Sequence, residues 1–396
     1  QLRLNQAISA EDLSESGKKF MAIGWRNLSA ADDQGNVFYG DRTAIPAVSD
    51  ALLAKCGIEN LSSKVLVLDG VRSACGWETV PAARVPRIFS ADQLPQLHAR
   101  DYIIQSNDTH WMNNAREPLE GFPKIMGAER TPRDLRTRNA LLKVETRLAG
   151  TDGYPGNRFT LNLLKTITMN NRVYSADIWL DDFAQFCRTQ TEEKILFACH
   201  TLATWDRTEN IDSPGALLWR LFAIELEKID PDGELFTTPF DVKKPMVTPS
   251  GLRASDPRVR TALDNAMAKL DSVGIPHDAT LRNYQYAVKG NDHIPISGGE
   301  APGQYNIVYN DWVDGKGYPP VVGGPTFVMW MQFTPKGPVG ESILAYSQSP
   351  NSESPLYADQ TRMWSEIRTK KMRFSEADIL SDPNLETITV CSRGKC

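Results

Sequence analysis

The chain reads as an α+β protein, and three observations carry that reading. Strand signals occupy both ends of the sequence, helical apolar spacing fills the middle, and no internal repeat or low-complexity tract interrupts the order. Strands, then helices, then strands fit a layered fold in which both ends share one sheet system. At 396 residues and 41% apolar content, the chain can bury one large or two ordinary cores.

Each element has a local cause. Residues 8–22 open with Ser9 and an acidic Glu11-Asp12 turn before Leu13, Phe20 and Met21, which predicts a helix. Residues 25–31 and 37–40 flank Asp32-Asp33-Gln34-Gly35 and predict a hairpin. The stretch 46–97 is broken by Pro, Gly and a cysteine pair, so loops with short helices are expected there. A buried strand is expected at 102–105, running into Ser106-Asn107-Asp108. From Arg133 the apolar residues Leu135, Leu141, Leu142, Val144 and Leu148 take helical spacing. The same pattern predicts helices over 161–169, 176–186, 192–203, 217–229 and 259–273. Beyond Pro276, strands are expected at 284–288, 305–309, 327–333 and 343–346.

Charge and composition narrow the function classes. A formal net charge of −5 offers no global attraction to nucleic acid, and no run of 18 apolar residues is present to span a bilayer. Small, uncharged or amphiphilic molecules are the expected partners. The six cysteines fall into close pairs, Cys56 with Cys75, Cys187 with Cys199, and Cys391 with Cys396. Several pairings are formally open, and the sequential one is simplest; it implies disulfides and an oxidising compartment. Closing the loop from Cys56 to Cys75 stabilises by about 3 kcal/mol on the chain-entropy account. Cys391 and Cys396 lie in a polar tail, where a frayed or free pair is the alternative. Cys187, Cys199 and His200 could form half a zinc site, but partners at close spacing are missing. Ser16 and Lys19 have S-x-x-K spacing without the companion motifs of penicillin-binding enzymes.

The polar cluster after residue 105 holds the chemistry. A rigid element ending in Ser106-Asn107-Asp108 aims amide and hydroxyl donors outward, as an oxyanion-stabilising site requires, although Asn and Asp also favour plain turns. The companion segment 325–364 contains a Pro335-Lys336-Gly337-Pro338 turn, then Tyr346-Ser347-Gln348-Ser349 and Ser354-Pro355-Leu356-Tyr357-Ala358-Asp359-Gln360.

These segments, together with the motifs at 27–40, 135–141, 174–177 and 204–207, resemble the penicillin acylase family of N-terminal nucleophile hydrolases. The likeness is strongest to its aculeacin acylase and acyl-homoserine lactone acylase branch. It implies a four-layer αββα sandwich of which this chain is the C-terminal part. On that fold, 1–132 belongs to the αββα core with disulfide-tied loops, 133–280 is mainly helical, and 281–396 supplies return strands and a tail. The family cuts an amide with the hydroxyl or thiol of a processed chain's first residue, whose own α-amine is the base. This chain opens Gln1-Leu2-Arg3-Leu4, so the nucleophile, the α chain and the upstream part of the β chain are expected outside it.

By position, Asn107 matches the family's side-chain donor to the oxyanion. Arg136 matches an arginine expected to hold the asparagine oxygen and keep the amine neutral. Trp25 matches a substrate-binding residue of the acyl pocket. For Arg130, Arg133 and Arg138 the expectation is a solvated helix start, and for His110 a structural role. The resemblance supports the first two bridges and implies a periplasmic or secreted setting. No metal or other cofactor is expected. The implied activity is removal of an acyl chain from N-acyl homoserine lactones, lipopeptides or β-lactams. The competing readings are a non-catalytic acyl-ligand binding protein on the same scaffold and a zinc-stabilised interaction module.

Overall fold

A computed structural model describes residues 2–21, 24, 26–58 and 65–391. The chain divides into two compact units. The first comprises 1–145 and 236–251, and the second 146–235 and 252–396.

In the first unit, helix α1 (Ala10–Phe20) begins where the Ser9 hydroxyl accepts the Asp12 amide at 3.0 Å. Its acidic first turn and Lys18-Lys19 end complement the helix dipole. Strands β1 (Asn27–Ala31) and β2 (Val37–Asp41) form the expected antiparallel hairpin, with Asn27 opposite Asp41 and Ala31 opposite Val37. Asp32 shapes the turn by accepting the amides of Gln34 at 3.0 Å and Asn36 at 2.9 Å. Helix α2 (Asp50–Cys56) ends at the Cys56–Cys75 disulfide, with Cα atoms 5.6 Å apart.

The third strand of this sheet is β3 (Gln96–Ala99), which pairs with β2 in the order β1-β2-β3. It lies at the edge of a stretch expected to be loop, while the strand expected at 102–105 is absent. Backbone hydrogen bonding explains the difference: the Ile104 amide donates to the Asn113 carbonyl at 2.8 Å, and the Tyr102 carbonyl accepts the Asn114 side chain at 3.0 Å. These groups are committed to a local loop and cannot join a ladder. Helix α3 (Leu135–Ala149) follows, its start capped by Asp134, which accepts the Thr137 amide at 2.6 Å.

The second unit contains helices α4 (Leu161–Met169), α5 (Tyr174–Cys187), α6 (Glu193–Thr204), α7 (Ala216–Ile229) and α8 (Pro257–Ser272). Helix α7 is apolar nearly all round because it is buried nearly all round, from Ala216 to Leu226. Phe183, Trp205 and Phe222 gather about Trp219 in tilted and edge-on contacts. The Cys187–Cys199 disulfide ties the end of α5 to α6, so these two sulfurs are not available to zinc.

After the helices come a hairpin of β4 (Tyr286–Lys289) with β5 (Asp292–Pro295) and a sheet β6 (Phe327–Thr334), β7 (Gly337–Leu344), β8 (Lys370–Met372). Trp330, Ile343, Ala345 and Trp364 form its core. Helices α9 (Asp359–Ser365) and α10 (Glu376–Leu380) flank β8 in sequence. The strand expected at 305–309 is reduced to isolated bridges, Gly299 with Ile307 and Tyr309 with Gly323. Among the described residues the strands form three separate sheets, each within one unit, rather than one sheet shared by both ends. Strands adjacent in sequence pair with each other, through tight hairpins at β1-β2, β4-β5 and β6-β7 and through long connections at β2-β3 and β7-β8. Cys391 is described, but its expected partner Cys396 lies outside the described residues.

Candidate active site

The sheet of the first unit supports the loop that carries Asn107. Buried Tyr39 on β2 hydrogen-bonds Asp41 at 2.9 Å and reaches the side chains of Gln105 and Asn113. Burial, with the nearby Asp41 charge, holds the Tyr39 phenol well above its ordinary pKa, so it remains a neutral hydrogen-bonding group. Gln105 then closes the loop: its carboxamide accepts the Asp108 amide at 3.1 Å and donates to the Asp108 carbonyl at 3.3 Å. Ser106 is buried and Asn107 is exposed at the tip. Asn107 has φ +61°, in the left-handed region where a short amide side chain is among the few tolerated.

Arg136 projects from the first turn of α3 onto this tip. Its Nη1 donates to the Ser106 carbonyl at 2.6 Å and to Asn107 Oδ1 at 2.9 Å. A guanidinium carries donors only, so the carboxamide must present its oxygen to Arg136 and turn its NH2 group away. The result is an exposed amide NH2 group on a left-handed backbone held by Arg136 at the Ser106 carbonyl and the Asn107 side chain.

Of the neighbouring arginines, Arg133 and Arg138 depart from expectation and Arg130 does not. Arg130 is exposed and paired with Glu120 at 3.0 Å, a solvated ion pair. Arg133 and Arg138 are buried, at 6% and 0% exposure. Arg138 donates to the carbonyls of Met246 at 3.0 Å and Pro249 at 2.7 Å. Arg133 donates to Asp108 Oδ1 at 2.7 Å and Thr109 Oγ1 at 2.8 Å, and its guanidinium lies 5.1 Å from the Trp111 ring. The start of α3 is thus covered rather than solvated, because the 246–249 segment and the Asp108 loop satisfy its cations.

His110 has a fully buried ring, hydrogen-bonded to the Met126 carbonyl at 3.2 Å and Glu129 at 3.1 Å. Burial pushes the Glu129 carboxyl up, but donation from the Gly121 and Phe122 amides and His110 outweighs it and leaves the group below its ordinary range. Both ring nitrogens are engaged, which is the structural role expected. Trp25 lies outside the described residues. Among the described residues no cluster of three or more His, Cys, Asp or Glu is arranged to hold a metal ion.

Arg133, expected at a solvated helix start, is instead buried against the Asp108 loop. Its R-x-x-R spacing to Arg136 was a usable signal, since residues three apart near a helix start face the same side.

Comparison with known proteins places this geometry in context. The family model for penicillin amidase matches residues 1–381. Aculeacin-A acylase of Actinoplanes utahensis is 39% identical over 409 residues, covering 100% of this chain and 51% of that protein. An acyl-homoserine lactone acylase, PvdQ, of Pseudomonas fluorescens is 31% identical, covering 96% of this chain and 48% of its own length. The chain therefore spans about half the length of these relatives. The solved structure of a thermostable penicillin G acylase from Alcaligenes faecalis superposes with a TM-score of 0.54 at 14% identity, covering 99% of this chain and 72% of that one, a likeness of fold. Because the family model matches residues 1–381 of this 396-residue chain, the chain belongs to the penicillin amidase family.

Proposed function

We propose that this chain supplies the oxyanion-stabilising side of an amide-cleaving acylase site. The observation that carries the reading is the Arg136 guanidinium on Asn107 Oδ1 at 2.9 Å, which leaves the Asn107 NH2 as an oriented donor. A donor held before the reaction stabilises the negative oxygen of the tetrahedral intermediate without reorganisation. Arg136 positions that donor, and its charge disfavours protonation of any amine held beside it. The nucleophile belongs, in this reading, to the part of the relatives' length that this chain does not span. The fold assignment follows the family expectation, the C-terminal part of a four-layer αββα sandwich.

The relatives' names suggest the substrate class: N-acyl homoserine lactones or an aculeacin-type lipopeptide, with β-lactam side chains following from the family. An acyl chain attached through a linear amide is common to all of them. Trp25 is assigned to the acyl pocket on the resemblance. Two disulfides within the described residues favour a periplasmic or secreted setting. No helix among the described residues is long and apolar enough to cross a membrane.

The test is turnover by the active acylase containing this chain, on an N-acyl homoserine lactone, a lipopeptide and a penicillin. Arg136→Leu is expected to lower kcat by about tenfold or more at nearly constant KM, because the donor loses its fixed direction before the transition state. Saturable acyl-ligand binding without release of free amine from any of the three would replace this reading with the binding-protein alternative.

A further inference from the structure

Arg136 anchors only one side of the Asn107 backbone. The residues on the other side, Asp108 and Thr109, are held by a different cation. Arg133 donates through Nη1 to Asp108 Oδ1 at 2.7 Å and to Thr109 Oγ1 at 2.8 Å. Its Nε donates to the Thr131 carbonyl at 3.1 Å, its Nη2 to the Thr131 hydroxyl, and its plane rests over Trp111. The side chain is 4% exposed, so the guanidinium has one reachable arrangement. Asp108 adds to the anchoring: Oδ1 also accepts the Thr109 amide at 2.7 Å, while the buried Oδ2 has no hydrogen-bond partner among the described residues. Neutralisation of the Asp108 carboxylate thus falls chiefly to Arg133.

The second wall of this clamp is backbone. Thr109 donates its hydroxyl to the Ala128 carbonyl at 2.8 Å. Gly127, at φ +129°, approaches so closely that a Cβ there would meet the Thr109 Cβ at 2.9 Å. Thr109 cannot shift toward that wall, and Arg133 prevents it from shifting away. A residue in the left-handed region costs roughly 1–2 kcal/mol and persists only when its surroundings over-determine it. Asn107 sits between two such anchors, Arg136 on its N-terminal side and Arg133 on its C-terminal side.

We infer that Arg133 is a positioning residue for the Asn107 donor, acting through the Asp108–Thr109 clamp rather than by touching substrate. This rests on the reading of Asn107 as the oxyanion donor. A misplacement of about 1 Å at such a donor can cost on the order of 100-fold in rate, so a clamp two residues away has leverage on kcat. Lysine cannot replace it, because a single ammonium cannot reach the Asp108 and Thr131 oxygens in one fork.

The experiment is a double-mutant cycle on kcat and KM in the active acylase, measured on one N-acyl homoserine lactone. Arg133→Lys is expected to lower kcat by about 10–100-fold with KM within about twofold. In the Asn107→Ala background the same change is expected to have almost no further effect, since the donor it positions is already gone. The pair Arg133→Met with Asp108→Asn removes both buried charges together, guards against misfolding from an orphaned carboxylate, and is expected to show the same loss of kcat. Equal fold-losses in both backgrounds, or an unchanged kcat in Arg133→Lys, would overturn the inference while leaving Asn107 in place. A wild-type kcat in Asn107→Ala alone would overturn both this inference and the reading on which it rests.

Discussion

Replacing Asn107 by glycine and by alanine separates the chemistry of this site from its backbone. Both substitutions delete the carboxamide donor, and removal of one oxyanion donor costs about 3 kcal/mol of transition-state stabilisation, or roughly 10²–10³ in kcat. They differ in conformation. Asn107 has φ +61°, which glycine adopts freely and alanine resists by roughly 1–2 kcal/mol. The side chain is exposed and accepts a hydrogen bond from Arg136, so deleting it opens no core cavity. Asn107→Ala is therefore expected to lose about 1 kcal/mol of stability, a melting shift of roughly 2–4 °C in a domain of 150–250 residues. Asn107→Gly is expected to melt within about a degree of the parent, since its gain in unfolded-state freedom is small beside the relieved strain. Steady-state hydrolysis of an N-acyl homoserine lactone, run beside calorimetry, reads both quantities. A glycine variant with near-parental kcat would refute the donor role. A glycine variant less stable than the alanine one would refute the argument from the left-handed backbone.

Two predictions concern the second unit. Glu209 and Arg220 are paired at 2.5 Å with almost no exposure, so Arg220→Met is expected to cost about 3–5 kcal/mol by stranding a buried carboxylate. The double change with Glu209→Gln should recover most of the melting temperature, and failure to recover would place the loss in packing rather than charge. Burial and the neighbouring Asp311 charge push the half-buried Glu300 carboxyl up to about 7, against opposition from Arg220. A raised folded-state pKa means that its stabilising contribution is complete below the ordinary carboxylate range and is lost as pH rises toward 7. Glu300→Gln is accordingly expected to melt higher than the parent at pH 8 and to match it near pH 4.5; a difference independent of pH would remove Glu300 as the cause.

What could be read from the sequence divides along a physical line. Helices α1, α4, α5, α6 and α8 were legible because each combines a period near 3.6 with a cap or an acidic first turn, both local properties, whereas α7 has neither and was legible from its apolar spacing alone. The first hairpin was legible because Asp32 to Gly35 carries its own turn chemistry. By contrast, β3 and the unpaired 102–105 segment have similar local patterns, and only the competition for β2 decides which becomes the strand. That competition depends on where Asn113 and Asn114 fold back, which is not a property of either segment alone. The same holds at the site. Asn107 and Arg136 stand out in the sequence only through the motifs they share with the family, and the burial of Arg133 and Arg138 depends on Asp108 and on a segment more than 100 residues downstream.

That burial also bears on how Asn107, the donor in the proposed reading, is held on a loop. A carboxamide at the end of a paired strand would inherit its direction from the ladder, but 102–105 has no ladder to inherit from. Direction must then come from side chains, and the start of α3 supplies it through two arginines three residues apart. Each hydrogen bond from a charged group contributes about 1.5–3 kcal/mol net. Two anchors, together about 3–6 kcal/mol, therefore exceed the roughly 1–2 kcal/mol strain at Asn107, whereas one alone barely does. Loosening either arginine should release the backbone of Asn107 before it disturbs the sheet beneath. Arg136→Leu, and Arg133→Met made together with Asp108→Asn so that no buried carboxylate is stranded, are consequently expected to change the rate of amide cleavage more than the stability of the fold.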